Sequence, residues 1–366
     1  MSTVWLPCGH YHQNYEKDQG WWQTPLIKIK MVLLLLVVFV AIPLVLPGYW
    51  IGVCTMVGYT IMGALGVQLL IGYTELITLG HGAFIAVGSY TATILVLHFP
   101  WPEFIVDWGL AYPISIVAAA LTAGIWSVIF GLPCARVKGF YLILTTIAAQ
   151  FITVDFILTQ YVSKIGGRAQ SFSLPPGTIQ IGPWEMTGDV KPYLFMAVLV
   201  SLMIMVLSNL LRSRVGRAWM AIRDNDIAAS TMGINVYLYK ILAFFVAGAM
   251  AGVAGAFWLS NTAAISPEHF PWFWSLWLVG VILIGGVGSI HGAVFGSLFM
   301  VLIMEFLQMG VIPLSEYYPK LLFSFAFLKK AVFGLAICAF LIFEPHGLAY
   351  RWWQIKNYFN LWPFSY

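Results

Sequence analysis

YLFMAVLVSLMIMVLSNLL, residues 193–211, runs through 19 positions without a charge. As a helix it would rise about 28 Å, close to the roughly 30 Å of a bilayer's hydrocarbon core. MVLLLLVVFVAIPLVL (31–46) is a run of the same kind. Lipid offers backbone amides no water to bond, so such segments can only be helices. The composition extends this reading to all 366 residues: 61% are hydrophobic and 9% charged, where soluble domains carry about 25% charged residues. The chain therefore reads as an all-α, polytopic integral membrane protein. Its 16 Trp and 17 Tyr, many near the ends of apolar runs, suit belts at the membrane–water interface.

Apolar windows separated by breaker clusters give about ten transmembrane or re-entrant helices. They fall near 31–47, 51–71, 79–98, 112–132, 140–160, 193–211, 240–260, 272–288, 291–311 and 327–343. The Gly-rich stretches 72–88 and 285–296 are candidates for broken or re-entrant helices, tolerated only where protein or a water-filled cavity covers their backbone. This makes the third and eighth segments the weakest. The expected organisation is an N-terminal arm (1–30), a membrane domain (31–349) containing an inner polar loop (212–239), and a C-terminal tail (350–366). The first apolar run has no small-residue cleavage site after it and reads as an anchor.

Placing the N-terminus in the cytoplasm leaves twelve basic residues inside, among them Lys17, Lys28, Lys30, Arg212, Arg214, Arg217, Arg223, Arg351 and Lys356. Six remain outside: Lys164, Arg168, Lys191, Lys320, Lys329 and Lys330. The positive-inside rule favours that orientation, with both termini cytoplasmic. The same asymmetry accounts for much of the net charge of +4 and calls for no nucleic acid. Cys8, Cys54, Cys134 and Cys338 lack C-x-x-C spacing, so no disulfide framework is expected. Cys8, His10 and His12 form a cluster that either holds a soft metal or belongs to an unstructured arm. Outside, the loop 163–191 reads as a structured cap or a mobile loop.

Inside, VGRAWMAIRDNDIAASTMGI (215–234) is polar yet periodic. Ala218, Ile222, Ala229 and Met232 recur at a helical period, Arg217, Arg223, Asp224, Asn225 and Asp226 supply a polar flank, and Gly233 supplies a stop. The pattern predicts one short amphipathic helix, either a docking element for another protein or a helix lying on headgroups. Asp224 and Asp226 argue against the headgroups.

This segment resembles the cytoplasmic loop of branched-chain amino-acid ABC importer permeases of the LivM type. Four further stretches fall in the same order: IGYTELITLGHGAFIAVGSYTA (71–92), LPCARVKGFYLILTTIAAQ (132–150), ISPEHF with LIGGVGSIHGAVFGS (265–297), and FEPHGLA (343–349). The resemblance implies a permease subunit in a prokaryotic inner membrane, working with a second permease, two cytoplasmic ATPase subunits and a periplasmic substrate-binding protein. It makes 215–234 an ATPase-coupling helix, with Arg217, Ala218, Arg223, Asn225, Ala229 and Gly233 as its candidate residues. Branched-chain amino acids are the default cargo; similar importers carry urea or amides, or small aromatic or carboxylic acids. The chain has no Gly-Lys dipeptide and hence no phosphate-cradling G-x-x-x-x-G-K-[ST] loop. ATP is accordingly expected on a partner subunit, and neither an enzymatic role nor a cofactor of its own is expected for this chain. Two departures stand out: Glu75 occupies a position where similar permeases carry Gly, and His291 and Ala293 replace a Trp and a Pro.

Charged groups at membrane depth cost about 2.5–3.5 kcal/mol on insertion scales, so each should face a cavity or carry a partner. Glu75, His81, Gln150, Asp155 and Glu305 are the candidates for a translocation pathway. For Glu75 and His81 the competing reading is a hydrogen-bonded structural pair or an interfacial position, and for Gln150 and Asp155 interhelical hydrogen bonds. An ion-gradient-driven transporter would share the spans and the carboxylates. A membrane enzyme built on His81 or His291 with Glu75 or Glu305 finds no H-E-x-x-H motif.

Overall fold

A computed structural model describes residues 25–137, 139–162, 172–175, 179–182, 184–262, 264–317 and 320–361. Cys8, His10 and His12 lie outside the described residues, as do Lys164 and Arg168. Among the described residues, ten helices are long and apolar enough to cross a membrane. They are α1 (Lys28–Val45), α2 (Gly48–Gly72), α3 (His81–His98), α4 (Ala111–Cys134), α5 (Phe140–Gln160), α6 (Val190–Arg212), α9 (Val236–Thr262), α10 (Pro267–Gly285), α11 (Ile290–Pro313) and α12 (Phe325–Phe343). Two short helices, α7 (Arg214–Asp224) and α8 (Asp226–Thr231), join α6 to α9. A last helix, α13 (Leu348–Leu361), follows the final span.

Every expected span is present, the third and eighth included. The Gly-rich stretches 72–88 and 285–296 each contain a break in the helical path, at 73–80 and 286–289. The helix leading into α1 starts at Pro25, within the expected arm, and much of the expected tail is the helix α13.

α9 is the axis of the bundle, packed against α4, α3 and α2. Lipid tails are as apolar as leucine, so helices gain little by hiding apolar surface from them. Association rests on close packing and interhelical hydrogen bonds. The sequence GAMAGVAGAF (248–257) supplies both conditions. A Cβ placed on Gly88 of α3 would lie 2.5 Å from the Gly252 Cα, and one on Gly252 would lie 2.3 Å from the Ala119 carbonyl oxygen of α4. At that spacing side-chain hydroxyls reach across to backbone carbonyls. Ser89 donates to Gly255 at 2.6 Å, Ser127 to Phe244 at 2.7 Å and Tyr112 to Ala256 at 3.0 Å. α1 stands at the periphery, held by the Tyr193 hydroxyl donating to the Val38 carbonyl at 2.8 Å.

At the end of the bundle opposite α7 and α8, the loop between α5 and α6 contributes β1 (Phe172–Ser173), β2 (Gln180–Ile181) and β3 (Trp184–Glu185). β1 pairs antiparallel with β4 (Ala264–Ile265), and β2 pairs with β3. The described parts of this loop therefore form a paired cap.

The seam yields a matched test. Gly252→Leu should lower the thermal midpoint of the detergent-solubilised protein, because overpacking a fitted contact costs about 1–3 kcal/mol. Gly52→Ala, where an added Cβ meets nothing within 4 Å, should leave it unchanged. Equal midpoints for the two variants would contradict the seam.

Candidate functional site

The polar segment forms two helices where the periodicity predicts one. Asn225 is the break: its backbone is extended (φ −164°, ψ 108°), and its Oδ1 accepts from the Ile227 and Ala228 amides, each at 3.0 Å. A short amide side chain caps a new helix better than it continues an old one. Gly233, at φ +84°, then ends α8 in a conformation that costs other residues more.

The two helices are fastened to α9 from below. Gly216, Ala218, Trp219 and Ile222 form the buried face of α7. Trp219 is fully buried, and its Nε1 donates to the Tyr239 carbonyl of α9 at 2.8 Å. Lys240, 5% exposed, pairs with Asp226 of α8 at 3.6 Å. A buried ammonium without an acid beside it would cost several kcal/mol, so this pair fixes α8 against the first turn of α9. Ala229 is buried as expected, but Met232 is not: it is 83% exposed, and Ile227 is 70% exposed. Arg217, Arg223, Asn225 and Gly233 are exposed as well, whereas Ala218 and Ala229 face the bundle.

Arg223 reaches the two Gly-rich connections. A Cβ on Gly288 would lie 2.7 Å from its Nη1. Burial pushes the Tyr73 phenol up to about 12, against the lowering pull of a backbone hydrogen bond at Ile290 and of the Arg223 guanidinium. Gln68 ties α2 to the second of these connections, its Nε2 donating to the carbonyls of Gly286 at 3.2 Å and Ser289 at 2.9 Å. Beside Arg223 a groove of about 370 Å³ runs between Glu75, Ile77, Asp224, Asp226 and Lys240. Glu75 is exposed and, among the described residues, is the one non-glycine with positive φ, at 56°.

A second cavity, of about 600 Å³, opens toward the opposite end. Gln150, Val154, Asp155, Glu268, Phe270 and Trp272 line it. Gln150, 1% exposed, donates to the Phe270 carbonyl at 3.0 Å and accepts from Ser275 Oγ at 3.4 Å. Ser275 Oγ in turn accepts from the Gly82 amide at 2.8 Å, satisfying a free donor in the first turn of α3. A hydrogen-bonded chain thus runs from the cavity wall to the start of α3. Asp155 lies in a π-helical stretch, Ile152–Val162, and is exposed beside Phe151, Ile152 and Phe156.

A match to the family model described as branched-chain amino acid transport system / permease component spans residues 49–341. The chain belongs to that permease family. It is 27% identical over 304 residues to the high-affinity branched-chain amino acid transport system permease protein LivM of Salmonella typhimurium, covering 77% of this chain and 69% of that protein. It is 25% identical over 297 residues to the permease protein BraD of Pseudomonas aeruginosa, covering 79% and 90%. To the permease protein LivH of Escherichia coli it is 26% identical over 254 residues, covering 65% and 78%. No solved structure matches the chain.

In this permease the five pathway candidates separate. Gln150 and Asp155 share the larger cavity, Glu75 borders the groove at the other end, and Glu305 accepts a hydrogen bond from Tyr49. His81 is fully buried with both ring nitrogens unpartnered, so it forms no hydrogen-bonded pair with Glu75. Glu268, Ser275, Gln68 and Trp219 escape the sequence reading. Only Glu268 had a signal, as the acid of ISPEHF at the head of a span.

A carboxylate side chain in the left-handed region costs about 1–2 kcal/mol. Glu75→Gly should therefore raise the thermal midpoint of the purified permease, with a gain of roughly 1 kcal/mol. A lowered midpoint would mean that the Glu75 side chain stabilises the fold by more than its backbone costs.

Proposed function

We propose that this chain is one of the membrane-spanning subunits of an ATP-driven importer for branched-chain amino acids, with α7, α8 and both termini in the cytoplasm. One observation carries the reading: α7 and α8 form a knob fixed to α9 through Trp219 and Lys240, yet they present Ile227 and Met232 to solvent. A rigid mount with an exposed apolar tip is what a coupling element needs. ATP is bound and hydrolysed by a separate cytoplasmic subunit that grips this tip. Nucleotide-driven movement of α7 and α8 then reaches the connections at 73–80 and 286–289 through Arg223, and the spans through α9. The ATPase drives transport only in so far as it favours one arrangement of those spans over another.

At the opposite end the larger cavity takes the cargo from a periplasmic binding protein. Asp155 and Glu268 suit an α-ammonium group, and Val154, Phe270 and Trp272 suit an aliphatic side chain. Asp155 in an exposed apolar setting also supports a second permease, since an exposed carboxylate at membrane depth needs a pathway or a neighbouring protein over it. LivM-type and LivH-type relatives are both similar to this chain, which suits a pair of related subunits.

The double variant Ile227→Asp/Met232→Asp should insert normally and lose copurification with the ATPase subunit, and uptake should fall about tenfold or more, the equivalent of at least 1.4 kcal/mol of docking energy. Undiminished uptake and copurification would refute the knob as a coupling element. Asp155→Asn should lower leucine uptake while leaving ATPase copurification intact; unchanged uptake would remove Asp155 from the pathway. For orientation, Met232→Cys in a background with Cys8, Cys54, Cys134 and Cys338 replaced by Ser should react with a membrane-impermeant maleimide only in inside-out vesicles.

A further inference from the structure

The first turn of α3 has no side-chain cap of its own. Its N-cap position is Gly80, which leaves the Gly82 amide as a donor that a local serine or aspartate would ordinarily satisfy. The acceptor comes from another helix: Ser275 of α10, fully buried, takes the Gly82 amide on its Oγ at 2.8 Å. The fit leaves little slack, since a Cβ on Gly82 would lie 3.0 Å from that oxygen. The same hydroxyl donates its hydrogen to Gln150 Oε1 of α5 at 3.4 Å. Thr146, one turn before Gln150 on α5, accepts from the Leu79 amide at 3.1 Å, and a Cβ on Gly80 would lie 2.3 Å from the Thr146 carbonyl oxygen. The start of α3 is therefore placed by α5 and α10, the two helices that line the larger cavity.

The segment leading into α3 begins beside the knob. Glu75 and Ile77 border the groove that Asp224, Asp226 and Lys240 also line. Thr74 donates through its hydroxyl to the Leu70 carbonyl of α2 at 2.7 Å, and the Leu76 amide donates to the same carbonyl at 2.9 Å. Between groove and cavity Thr74, Leu76 and Thr78 are each no more than 2% exposed, so the segment is gripped along its length. A strut held in this way passes a displacement from one end to the other. Residues 73–80 thus join the groove at the knob to the two helices of the cavity, and Ser275 is the side chain at which α3, α5 and α10 meet.

We propose that Ser275 is a positioning residue for transport: by capping α3 from α10 it ties the 73–80 segment to the cavity, so that movement of the knob is spent on import only when cargo has arrived. This role presupposes that α7 and α8 are gripped by the ATPase, and it adds the group on which strict coupling depends. Cargo seated against Phe270 and Trp272 displaces the head of α10 relative to α5. The Ser275 hydroxyl, bonded to α5 and to α3, carries that displacement to Gly82. Without the hydroxyl the buried Gly82 amide loses its acceptor, and α3 starts where local packing leaves it, whatever the cavity holds. ATP is then hydrolysed with less cargo moved. Ser275 itself does not line the cavity, which separates its role from those of Asp155 and Glu268.

The quantity to measure is ATP hydrolysed per leucine imported, in proteoliposomes holding the full-length permease with its partner subunits and supplied with leucine-loaded binding protein. S275A should assemble and hydrolyse ATP but raise that ratio about fivefold or more, the lower end of coupling between distinct sites. S127A removes an equally buried hydroxyl, one that bonds the Phe244 carbonyl between α4 and α9, so it should lower the thermal midpoint and leave the ratio as in wild type. An unchanged ratio in S275A, or the same rise in S127A, would overturn the proposal. If S275A does not assemble, T146V decides: it keeps the shape of the side chain, removes the acceptor of the Leu79 amide and should raise the ratio, and a wild-type ratio there would overturn the proposal equally. Wild-type proteoliposomes that import leucine without ATP would remove the importer reading and this role with it. A coupled wild type beside an unaltered S275A would remove the role of Ser275 alone.

Discussion

The bundle depends on how closely α9 approaches its neighbours. In water a helix is recruited to a core by the area it hides; in lipid that incentive is nearly absent, and contact distance takes its place. Gly248, Gly252 and Gly255 bring the α9 backbone against α3 and α4, and that closeness lets Ser89, Ser127 and Tyr112 bond its carbonyls. A rod seated this way turns about its axis only by breaking several contacts together. The two helices pinned to its first turn through Trp219 and Lys240 therefore inherit a firm base. Small residues in the middle of the membrane thus set the stiffness of a polar structure outside it.

Much of this was legible in the sequence, because the bilayer imposes so few solutions. Long apolar runs must be helices of about one length, so all ten spans could be read from hydropathy. The third and eighth were weakest because glycine at their ends lowers the hydropathy without ending the helix. Periodicity failed at Asn225, where local capping chemistry outweighs helical continuation, and at Met232, which keeps the helical spacing of a buried face yet projects outward. Spacing records the angle of a side chain around its helix. It does not record whether anything stands opposite.

The polar candidates show the same limit from another side. Gln150 and Asp155 share a cavity as their spacing allows, but the partners that give the cavity its character come from α10 and lie more than a hundred residues away: Glu268, Phe270 and Ser275. Gln68 is one polar residue in an apolar span, and its task of holding Gly286 and Ser289 depends on the fold bringing α2 against the connection at 286–289. The Glu75 backbone, by contrast, agrees with the resemblance: glycine is the residue best suited to a φ of 56°, and it is glycine that similar permeases place there.

The chain of hydrogen bonds from Phe270 through Gln150 and Ser275 to Gly82 has a thermodynamic corollary. Energetic influence between two regions of one molecule is symmetric: if the set of the α3 terminus alters affinity at the cavity, occupancy of the cavity alters the α3 terminus by the same free energy. A protein that steered its cargo through such a connection could not do so silently. Each arriving molecule would write its presence back toward the far end of the bundle, so sensing and delivery would be two readings of a single linkage.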